Sequence, residues 1–569
     1  MSRELLQSDQ AGPPKWAGGN SNPACLLMPD YGYDMGSSQQ ADFRGDYRDQ
    51  LKAALGKRVT LRLREPAGGF RDVVGVLQSE TSAINKRGEI ENFSPDEIAV
   101  MRVIPVFNRR NINTGRLALY DTLTRTVDEI PDRDGVVSIY CCGPTVYRSA
   151  HVGNLRTFLL SDLITRTLEL SGLEVHLVQN ITDVGHMSDD FESEDKMLSE
   201  SAKRKIDPFL IAREFEVEFH RDLALLNIAG ADLYPRASDN MDSMIQAIQE
   251  LILREHAYVG TDGSVYFDAR SVSDYGALSG NKIEQLKPGH RYEFVDLGGK
   301  RFHADWALWK LAGGRTQMVW DSPWGKGFPG WHIECSAMSV NFLKAHVDLH
   351  IGGIDLRFPH HENERAQSNA LTGSNVVSNW VHGEHLLFEG RKMSKSAENV
   401  VLVSDVIARG FDPLALRLVF LENRYRSQMD LTWQSIEAAH STLKRWRKEV
   451  SAWGTSDELK FDEEFTAALM NDLDTPRAMQ RIRTIEKETT IGALDKRALF
   501  LYADQVLGLD LTRKVEEREL PPEVSELLTQ RESARSAKDW ASSDSLRDAI
   551  EKSGIEISDG PTGQQWSWK

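Results

Sequence analysis

The chain has few cysteines, no long apolar run and no excess of positive charge, and each absence excludes a class of protein. Four cysteines in 569 residues (Cys25, Cys141, Cys142, Cys335) are too few for a disulfide framework, so we expect a cytoplasmic location. No apolar run reaches the roughly 18 residues of a membrane-spanning helix, and the N-terminus lacks the apolar core of a secretory signal. The net charge of −17 argues against a general nucleic-acid coat, although local basic strips can still bind RNA.

The first 112 residues contain two different kinds of sequence. Residues 1–45 are rich in Gly, Pro, Ser, Gln and Asp, which is typical of a flexible lead. Further on, Val59, Leu61 and Leu63 alternate with polar residues, and turn signals separate several short apolar runs. This pattern predicts a small SH3-like β-barrel at 46–112, and nothing in it indicates a function.

The middle of the chain alternates strand and helix patterns. Val136–Tyr140 has the composition of a buried strand, 154–170 has helical apolar periodicity, and Val175–Ile181 returns to a strand. Open parallel sheets bind ligands at the carboxyl ends of their strands, where the loop through Cys142 and His151 lies. We therefore predict a multidomain α/β fold whose Rossmann-type parallel-sheet domain occupies 113–231 and 331–412, with an insertion at 232–330, a helical bundle at 413–515 and a small module at 516–569.

Two distant segments have the composition of a nucleotide site. His151-Val152-Gly153-Asn154 opens a helix, where backbone N–H groups and the helix dipole favour phosphate. Lys392-Met393-Ser394-Lys395-Ser396 adds two compact positive charges suited to a phosphate that moves during reaction. Alone, the first is most often a solvated loop histidine and the second an exposed charged turn. Together they predict a site for ATP. Such a site promotes the departure of pyrophosphate by positioning ATP and by neutralising the negative charge that develops on the leaving group.

These two segments resemble the HxGH-type and KMSKS signatures of class I aminoacyl-tRNA synthetases. Three further segments, Tyr140–Tyr147, Gly330–Cys335 and Phe358–Glu364, resemble the cysteinyl-tRNA synthetases in particular, and the resemblance covers about 117–569. It implies a catalytic domain that joins L-cysteine to tRNA(Cys) with ATP and Mg²⁺. The implied catalytic residues are His151, Asn154, Lys392 and Lys395, and the implied cofactor-binding residues are Gly153, Thr145, Trp331 and Lys395.

One position departs from the signature. Asn154 stands where a second histidine is often found, and an amide can donate to a phosphate oxygen but cannot carry charge. This departure bears on the role of that position rather than on the presence of the site.

The resemblance also implies one Zn²⁺ per subunit, held by Cys142, Cys335, His360 and Glu364. The residues offer one local clue of their own, because His360 and Glu364 are four apart and would share a helix face. Without the resemblance, a lone cysteine such as Cys335 on an apolar stretch is usually a small buried hydrophobe. A zinc-bound thiol loses its proton far more readily than a hydroxyl, which would separate cysteine from serine without an editing site.

Two parts of the C-terminal half could contact RNA. The strip Lys444-Arg445-Trp446-Arg447-Lys448 is either a phosphate-contacting surface or an ordinary solvated helix face. In the last module, arginine and tryptophan side chains can stack on and hydrogen-bond to unpaired bases. The resemblance implies that this module binds the anticodon of tRNA(Cys), with readers at Arg535, Trp540, Asp544 and Asp559, and we expect a monomer without a membrane partner.

Two alternatives stay open from the sequence. A cysteine ligase whose acceptor is the amine of an amino sugar would share the catalytic core, although the RNA-like C-terminal module argues against it. A catalytically silent paralogue that binds RNA or a metabolite is compatible with Asn154 and with the extra N-terminal module.

Overall fold

The computed structural model describes residues 47–64, 70–85, 88–104, 115–185, 195–283, 299–393, 399–514, 521–560 and 563–568. All of these residues belong to one unit, Gly45–Lys569. The predicted flexible lead at 1–45, with Cys25, lies outside them. Among the residues that the structure describes, no helix has the length and apolar character needed to cross a membrane.

An antiparallel sheet forms the start of the described chain. Val59, Leu61 and Leu63 are fully buried, as their alternation predicts, because they face the core of this sheet. The strand order is β4-β3-β2-β1-β5, so the described pairings leave β4 and β5 as edges, and the closed SH3-like barrel stays a prediction. The elements are α1 (Arg48–Ala53), β1 (Arg58–Arg64), β2 (Phe70–Ser79), β3 (Ser82–Asn85), β4 (Ile90–Asn92) and β5 (Ile98–Ile104).

The predicted strand–helix–strand unit follows a short hairpin. Its helix α2 is buried on nearly every side, which makes it the central helix of the molecule. The elements are β6 (Ala118–Tyr120), β7 (Val127–Glu129), β8 (Val136–Cys141), α2 (Val152–Leu170), β9 (Glu174–Gln179), α3 (Lys196–Arg204) and α4 (Pro208–Leu225).

A second, antiparallel sheet lies within the predicted insertion. Its strand order is β10-β11-β12-β13. Aromatic residues fill its core, where the ring centroids of Phe267 and Trp306 are 4.5 Å apart. The elements are α5 (Met241–Leu253), β10 (Ala257–Val259), β11 (Val265–Phe267), β12 (Trp306–Leu311) and β13 (Gly327–Pro329).

The chain then completes the parallel sheet with α6 (Trp331–Phe342), β14 (Val347–Gly353), α7 (Glu362–Thr372) and β15 (Val377–Gly383). The strand order is β15-β14-β8-β9, and all three pairings are parallel. Ile139, Leu349 and Val381 are fully buried, as expected for parallel strands covered on both faces. The predicted α/β fold class is confirmed, and the carboxyl ends of β8 and β14 lie side by side.

A small three-stranded sheet and a run of helices complete the structure. The sheet has the order β17-β16-β18 and carries the start of the Lys392–Ser396 segment. The helices confirm the predicted helical C-terminal region, and a β-hairpin ends the last module. The elements are β16 (Leu386–Phe388), β17 (Arg391–Lys392), α8 (Val403–Ala408), α9 (Leu414–Leu421), β18 (Met429–Leu431), α10 (Trp433–Ala452), α11 (Glu463–Met470), α12 (Thr475–Lys487), α13 (Ala493–Leu507), α14 (Pro522–Ser536), α15 (Trp540–Lys552), β19 (Ile555–Gly560) and β20 (Gly563–Trp568).

Candidate active site and metal centre

His151 caps the N-terminus of α2. Its Nδ1 accepts from the backbone N–H groups of Gly153 (3.1 Å) and Asn154 (3.3 Å), and Asn154 Oδ1 accepts from the His151 N–H (3.3 Å). The two N–H groups expected to be free for phosphate are thus occupied by the histidine itself. Burial, with Arg148 adding to it, lowers the pKa of His151, so the ring is neutral at pH 7. Because Nδ1 accepts, the ring proton is on Nε2, which is left to donate.

The segment around Lys392 is attached to this same helix start. Lys392 lies in β17 with an exposed side chain, whereas Lys395 lies outside the described residues. Met393 is buried, and a methyl group added to Gly153 would lie 2.9 Å from Met393 Cε. Beyond the undescribed stretch, Val401 O accepts from Val152 N at 3.0 Å. Both flanks of the stretch that contains Lys395 therefore meet the first residues of α2.

The predicted metal ligands come together across the fold. Cys142 directly follows β8 and Cys335 lies on α6. His360 lies in the helical turn Arg357–His361 just before α7, and Glu364 lies in the first turn of α7. One ligand atom from each residue lies within 4.8 Å of the others. Glu364 Oε1 is 2.9 Å from His360 Nε2 and 3.4 Å from Cys142 Sγ, which itself lies 3.9 Å from Cys335 Sγ. All four side chains are buried.

The electrostatics of this cluster suit a cation. Burial lowers the pKa of His360 to about 3, so its ring is neutral and able to bind a metal. Burial raises the pKa of Glu364 to about 7 and that of Cys142 well above its usual value. The hydrogen bond to Cys142 lowers the pKa of Cys335, but burial and nearby carboxylates outweigh it, giving about 11. Glu364 Oε2 has no hydrogen-bond partner among the described residues. That oxygen lies 3.4 Å from His350 Nε2. A buried carboxylate beside two thiols and imidazole rings fits a divalent ion.

A second set of possible ligands overlaps the first. His350 and His361 join Cys142 and Glu364 in a group whose ligand atoms also lie within 4.8 Å. His361 Nε2 is 3.3 Å from Cys142 Sγ, and its Nδ1 is 2.8 Å from His382 Nε2. Sequence reasoning assigned no role to His350 or His382, because each lies alone on its own strand. Neither has a partner at a spacing that indicates a site.

Trp331 and Thr145, two of the predicted cofactor-binding residues, contact different parts of the site region. The Trp331 ring lies 4.1 Å from the His360 ring at an angle of 31°. Thr145 is half-buried and forms a backbone bridge with Thr182. Glu334, which sequence reasoning missed, is fully buried, and its Oε2 accepts from Thr182 Oγ1 at 3.1 Å. Burial raises the pKa of Glu334 well above its usual value.

The structure corrects the prediction that residues 444–448 form a basic surface for RNA. Trp446 is fully buried, and Arg447 is buried with its guanidinium donating to Leu509 O, Asp510 O and Asp412. Arg445 forms an ion pair with Glu486. The residues at 436, 439, 443, 446 and 450 are all buried, which makes them the core-facing stripe of α10. Only Lys444, Arg445 and Lys448 remain exposed, so no continuous cationic and aromatic strip exists there.

Three of the four predicted anticodon readers lie together in the C-terminal module. Arg535 Nη1 is 3.0 Å from Asp559 Oδ2, and its guanidinium carbon is 5.7 Å from the centre of the Trp540 ring. Asp544 acts electrostatically on Arg531 of the same module. Trp540 is 56% exposed, and Trp566, which sequence reasoning missed, is 41% exposed.

The protein combines a parallel sheet and a capped helix start with a buried cluster of Cys142, Cys335, His360 and Glu364, the metal-type cluster. A family model described as the class I (C) tRNA synthetase catalytic domain matches residues 129–441, so the chain is a class I aminoacyl-tRNA synthetase. A second model, the cysteinyl-tRNA ligase anticodon binding domain, matches residues 517–566.

Known relatives narrow the class to one family. Cysteine--tRNA ligase 1 of Burkholderia lata is 41% identical over 79% of this chain and 96% of its own length. A cysteine--tRNA ligase of Thermus thermophilus is 38% identical over 79% of this chain and 99% of its own length. A Mycobacterium tuberculosis methionyl-tRNA synthetase superposes with a TM-score of 0.43 at 13% identity, over 65% of this chain and 88% of that one. The chain belongs to the cysteine--tRNA ligase family.

Proposed function

We propose that the chain activates L-cysteine with ATP and transfers the cysteinyl group to the terminal ribose hydroxyl of tRNA(Cys). The observation that carries the proposal is the meeting of two sites at one edge of the parallel sheet. The loop after β8 begins at Cys142, in the metal-type cluster, and ends at His151, the cap of α2. With the metal-type cluster at one end of this loop and His151 at the other, the site suits a reaction that joins a thiol-containing amino acid to a nucleoside triphosphate.

The first step needs no general base. The cysteine carboxylate is already an anion, so it attacks the α-phosphorus directly, the bond to the bridging oxygen breaks, and pyrophosphate leaves. His151 Nε2–H and the Asn154 amide would donate to phosphoryl oxygens as charge develops. Lys392 and Lys395 would neutralise the departing pyrophosphate, together with Mg²⁺. Gly153 would bring the backbone and Met393 close to the triphosphate.

Of the two overlapping ligand sets, we favour Cys142, Cys335, His360 and Glu364 as a zinc site. A site with two thiolates and one imidazole binds Zn²⁺ in preference to harder cations. When bound, zinc would supply the positive charge that favours a substrate thiolate over a serine hydroxyl. Trp331, whose ring lies 4.1 Å from that of His360, would fix the orientation of that ring and form a wall of the amino-acid pocket, to which Thr145 would also contribute.

The remaining features of the proposal concern the whole chain. We propose domain boundaries at 46–112, 113–231 with 331–412, 232–330, 413–515 and 516–569, with anticodon reading by Arg535, Trp540, Asp544 and Asp559 in the last. A monomer in the cytoplasm follows from the sequence expectations above.

Pyrophosphate exchange tests the proposal. The purified chain is incubated with ATP and labelled pyrophosphate, with cysteine or serine, and charging is then measured with a tRNA(Cys) transcript. We expect cysteine-dependent exchange without tRNA, little exchange with serine, and charging when tRNA is added. Exchange without charging would instead indicate transfer to a small amine, and no exchange would indicate a silent paralogue.

A further inference from the structure

A fully buried arginine lies at the centre of the C-terminal module. The Arg531 side chain, on α14, is 1% exposed. Its Nη1 donates to Asp559 Oδ1 at 3.0 Å and its Nη2 to Asp559 Oδ2 at 2.8 Å, which is a bidentate pair. Nη1 also donates to Gln564 Oε1 at 2.9 Å, and Gln564 Nε2 donates to Leu528 O at 2.7 Å. The guanidinium plane is therefore fixed by α14 and by both strands of the hairpin.

Asp559 connects this buried arginine to the surface. A carboxylate offers about four acceptor positions, two on each oxygen. Arg531 uses one position on each oxygen, and Arg535 uses a second one on Oδ2 at 3.0 Å. The Asp559 side chain is 28% exposed, so the remaining position on Oδ1 can meet a ligand. The Arg531 hydrogen bond lowers the pKa of Asp559, which keeps this group ionised.

The same ion-pair chain also orients the aromatic surface. Arg535 is paired with Asp559 on one side and lies near the exposed Trp540 ring on the other. Rotation of the Asp559 carboxylate would therefore change the direction of Arg535 as well. Only the planar fork of an arginine can fix both carboxylate oxygens at once, because a lysine ammonium is a point charge.

We propose that Arg531, held by Gln564, is a positioning residue for anticodon selection. It aims the free Oδ1 position of Asp559 at an N–H donor on the edge of an unstacked base, and it holds Arg535 beside the base that stacks on Trp540. This inference rests on the proposed function, since it assumes that the module reads an anticodon. Arg531 itself is buried and touches no base. A buried ion pair is weak evidence for a stabilising role, since apolar residues of similar volume often stabilise a fold equally well.

The test compares Arg531→Lys in the full chain with two other variants. Gln564→Ala removes the third contact of the guanidinium, and Gln530→Ala changes an exposed neighbour on the same helix as a matched control. Charging is measured with a tRNA(Cys) transcript and with transcripts that carry single anticodon substitutions, and cysteine-dependent pyrophosphate exchange is measured without tRNA.

For Arg531→Lys we expect the preference for the cognate anticodon to fall about tenfold, mainly through KM, as expected for a lost bidentate contact. Exchange should stay at the wild-type rate. The effect of Gln564→Ala should be smaller, and that of Gln530→Ala absent.

A double-mutant comparison separates positioning from a structural role. If Arg531 acts through Asp559, then Arg531→Lys adds no further loss of anticodon preference to Asp559→Asn. An equal loss of charging on every transcript, with the preference intact, would overturn the inference, as would fully additive losses in the double variant. If the wild-type chain exchanges pyrophosphate but charges no transcript, the proposed function fails instead, so the two failures are distinguishable.

Discussion

The metal-type cluster and the C-terminal module handle polar side chains in opposite ways. In the cluster, Cys142, Cys335, His360 and Glu364 are almost completely buried, and burial shifts the pKa values of Cys142, His360 and Glu364 toward the uncharged forms. In the module, Asp559 and Arg535 are partly exposed, charged and paired with each other. Because these ligand side chains are buried without a positively charged partner among the described residues, a bound cation would stabilise their ionised forms. The partly exposed Arg535–Asp559 pair helps to fix the geometry of this surface but contributes under about 1 kcal/mol to stability.

Removal of a cluster thiol should give the largest effect and tests the first half of the comparison. In Cys335→Ser we expect the zinc content, measured by elemental analysis, to fall from one per chain to near zero. Cysteine-dependent pyrophosphate exchange should fall by more than about 100-fold, because even residues that only support metal ligands cost about 10- to 100-fold.

Two further variants show which ligand set is used. Cys141→Ala changes the adjacent buried cysteine, which belongs to neither set, and should keep its zinc. His350→Gln should keep zinc as well. Loss of zinc in His350→Gln with retention in Cys335→Ser would instead assign the metal to Cys142, His350, His361 and Glu364.

Substitution of the helix cap should separate chemistry from stability. Asparagine is a strong N-cap residue, so His151→Asn should keep the cap of α2 and leave the thermal unfolding midpoint near that of the wild type. It removes the Nε2–H donor, so we expect pyrophosphate exchange to fall about 100-fold, a typical contribution of a positioned proton donor. His151→Ala removes the cap as well as the donor, so both the thermal unfolding midpoint and the rate of pyrophosphate exchange should fall. Equal destabilisation by the two variants would contradict the capping role.

Truncation of the exposed aromatic should affect only the RNA side of the comparison. In Trp540→Ala we expect kcat/KM for tRNA charging to fall about tenfold, within the roughly 1–3 kcal/mol attributed to stacking of one base. Pyrophosphate exchange without tRNA should not change, because the module lies outside the segment matched to the catalytic domain. Trp540→Phe, which keeps a ring, should recover most of the loss. A parallel fall in exchange would show that the two regions are not independent.

A methyl group at Gly153 should give the smallest effect. Its added carbon would lie 2.9 Å from Met393 Cε and 3.0 Å from both Cε1 and Nδ1 of His151. The end of the flexible Met393 side chain can shift at modest cost, and the His151 ring has to move by a few tenths of an ångström. We expect KM for ATP in pyrophosphate exchange to rise a few-fold, about 1 kcal/mol, for Gly153→Ala. Met393→Ala in the same chain should reverse part of the rise. A rise that Met393→Ala leaves unchanged would point to displacement of the His151 ring, 3.0 Å from the added carbon, or to contact between Gly153 and ATP itself.

The sequence predicted the α/β architecture better than the details of either site. Apolar runs such as Val136–Tyr140 and Val175–Ile181 predicted buried parallel strands, because a fully buried strand leaves a continuous hydrophobic signature. The metal ligands needed the family resemblance, since Cys142 and Cys335 are 193 residues apart and no local spacing connects them. His350 and His382 were missed for the same reason.

The basic strip shows a different kind of error. Charge composition at 444–448 suggested an RNA surface, whereas the apolar periodicity of α10 already indicated that position 446 faces the core. In a long amphipathic helix the period is a stronger guide than the charge count, because one turn distributes neighbouring residues over all sides. The His151 cap was also missed, since histidine is not among the residues that favour this position.

The dual use of the His151 ring constrains how the first turn of α2 can vary. Nδ1 accepts from the backbone amides of the first turn, and this places the ring proton on Nε2. The same imidazole therefore caps the helix and supplies the proton donor. Protonation of that ring would release the backbone amides at the same moment as it added a charge. Acidification should therefore loosen the helix start and alter the phosphate environment as one coupled event.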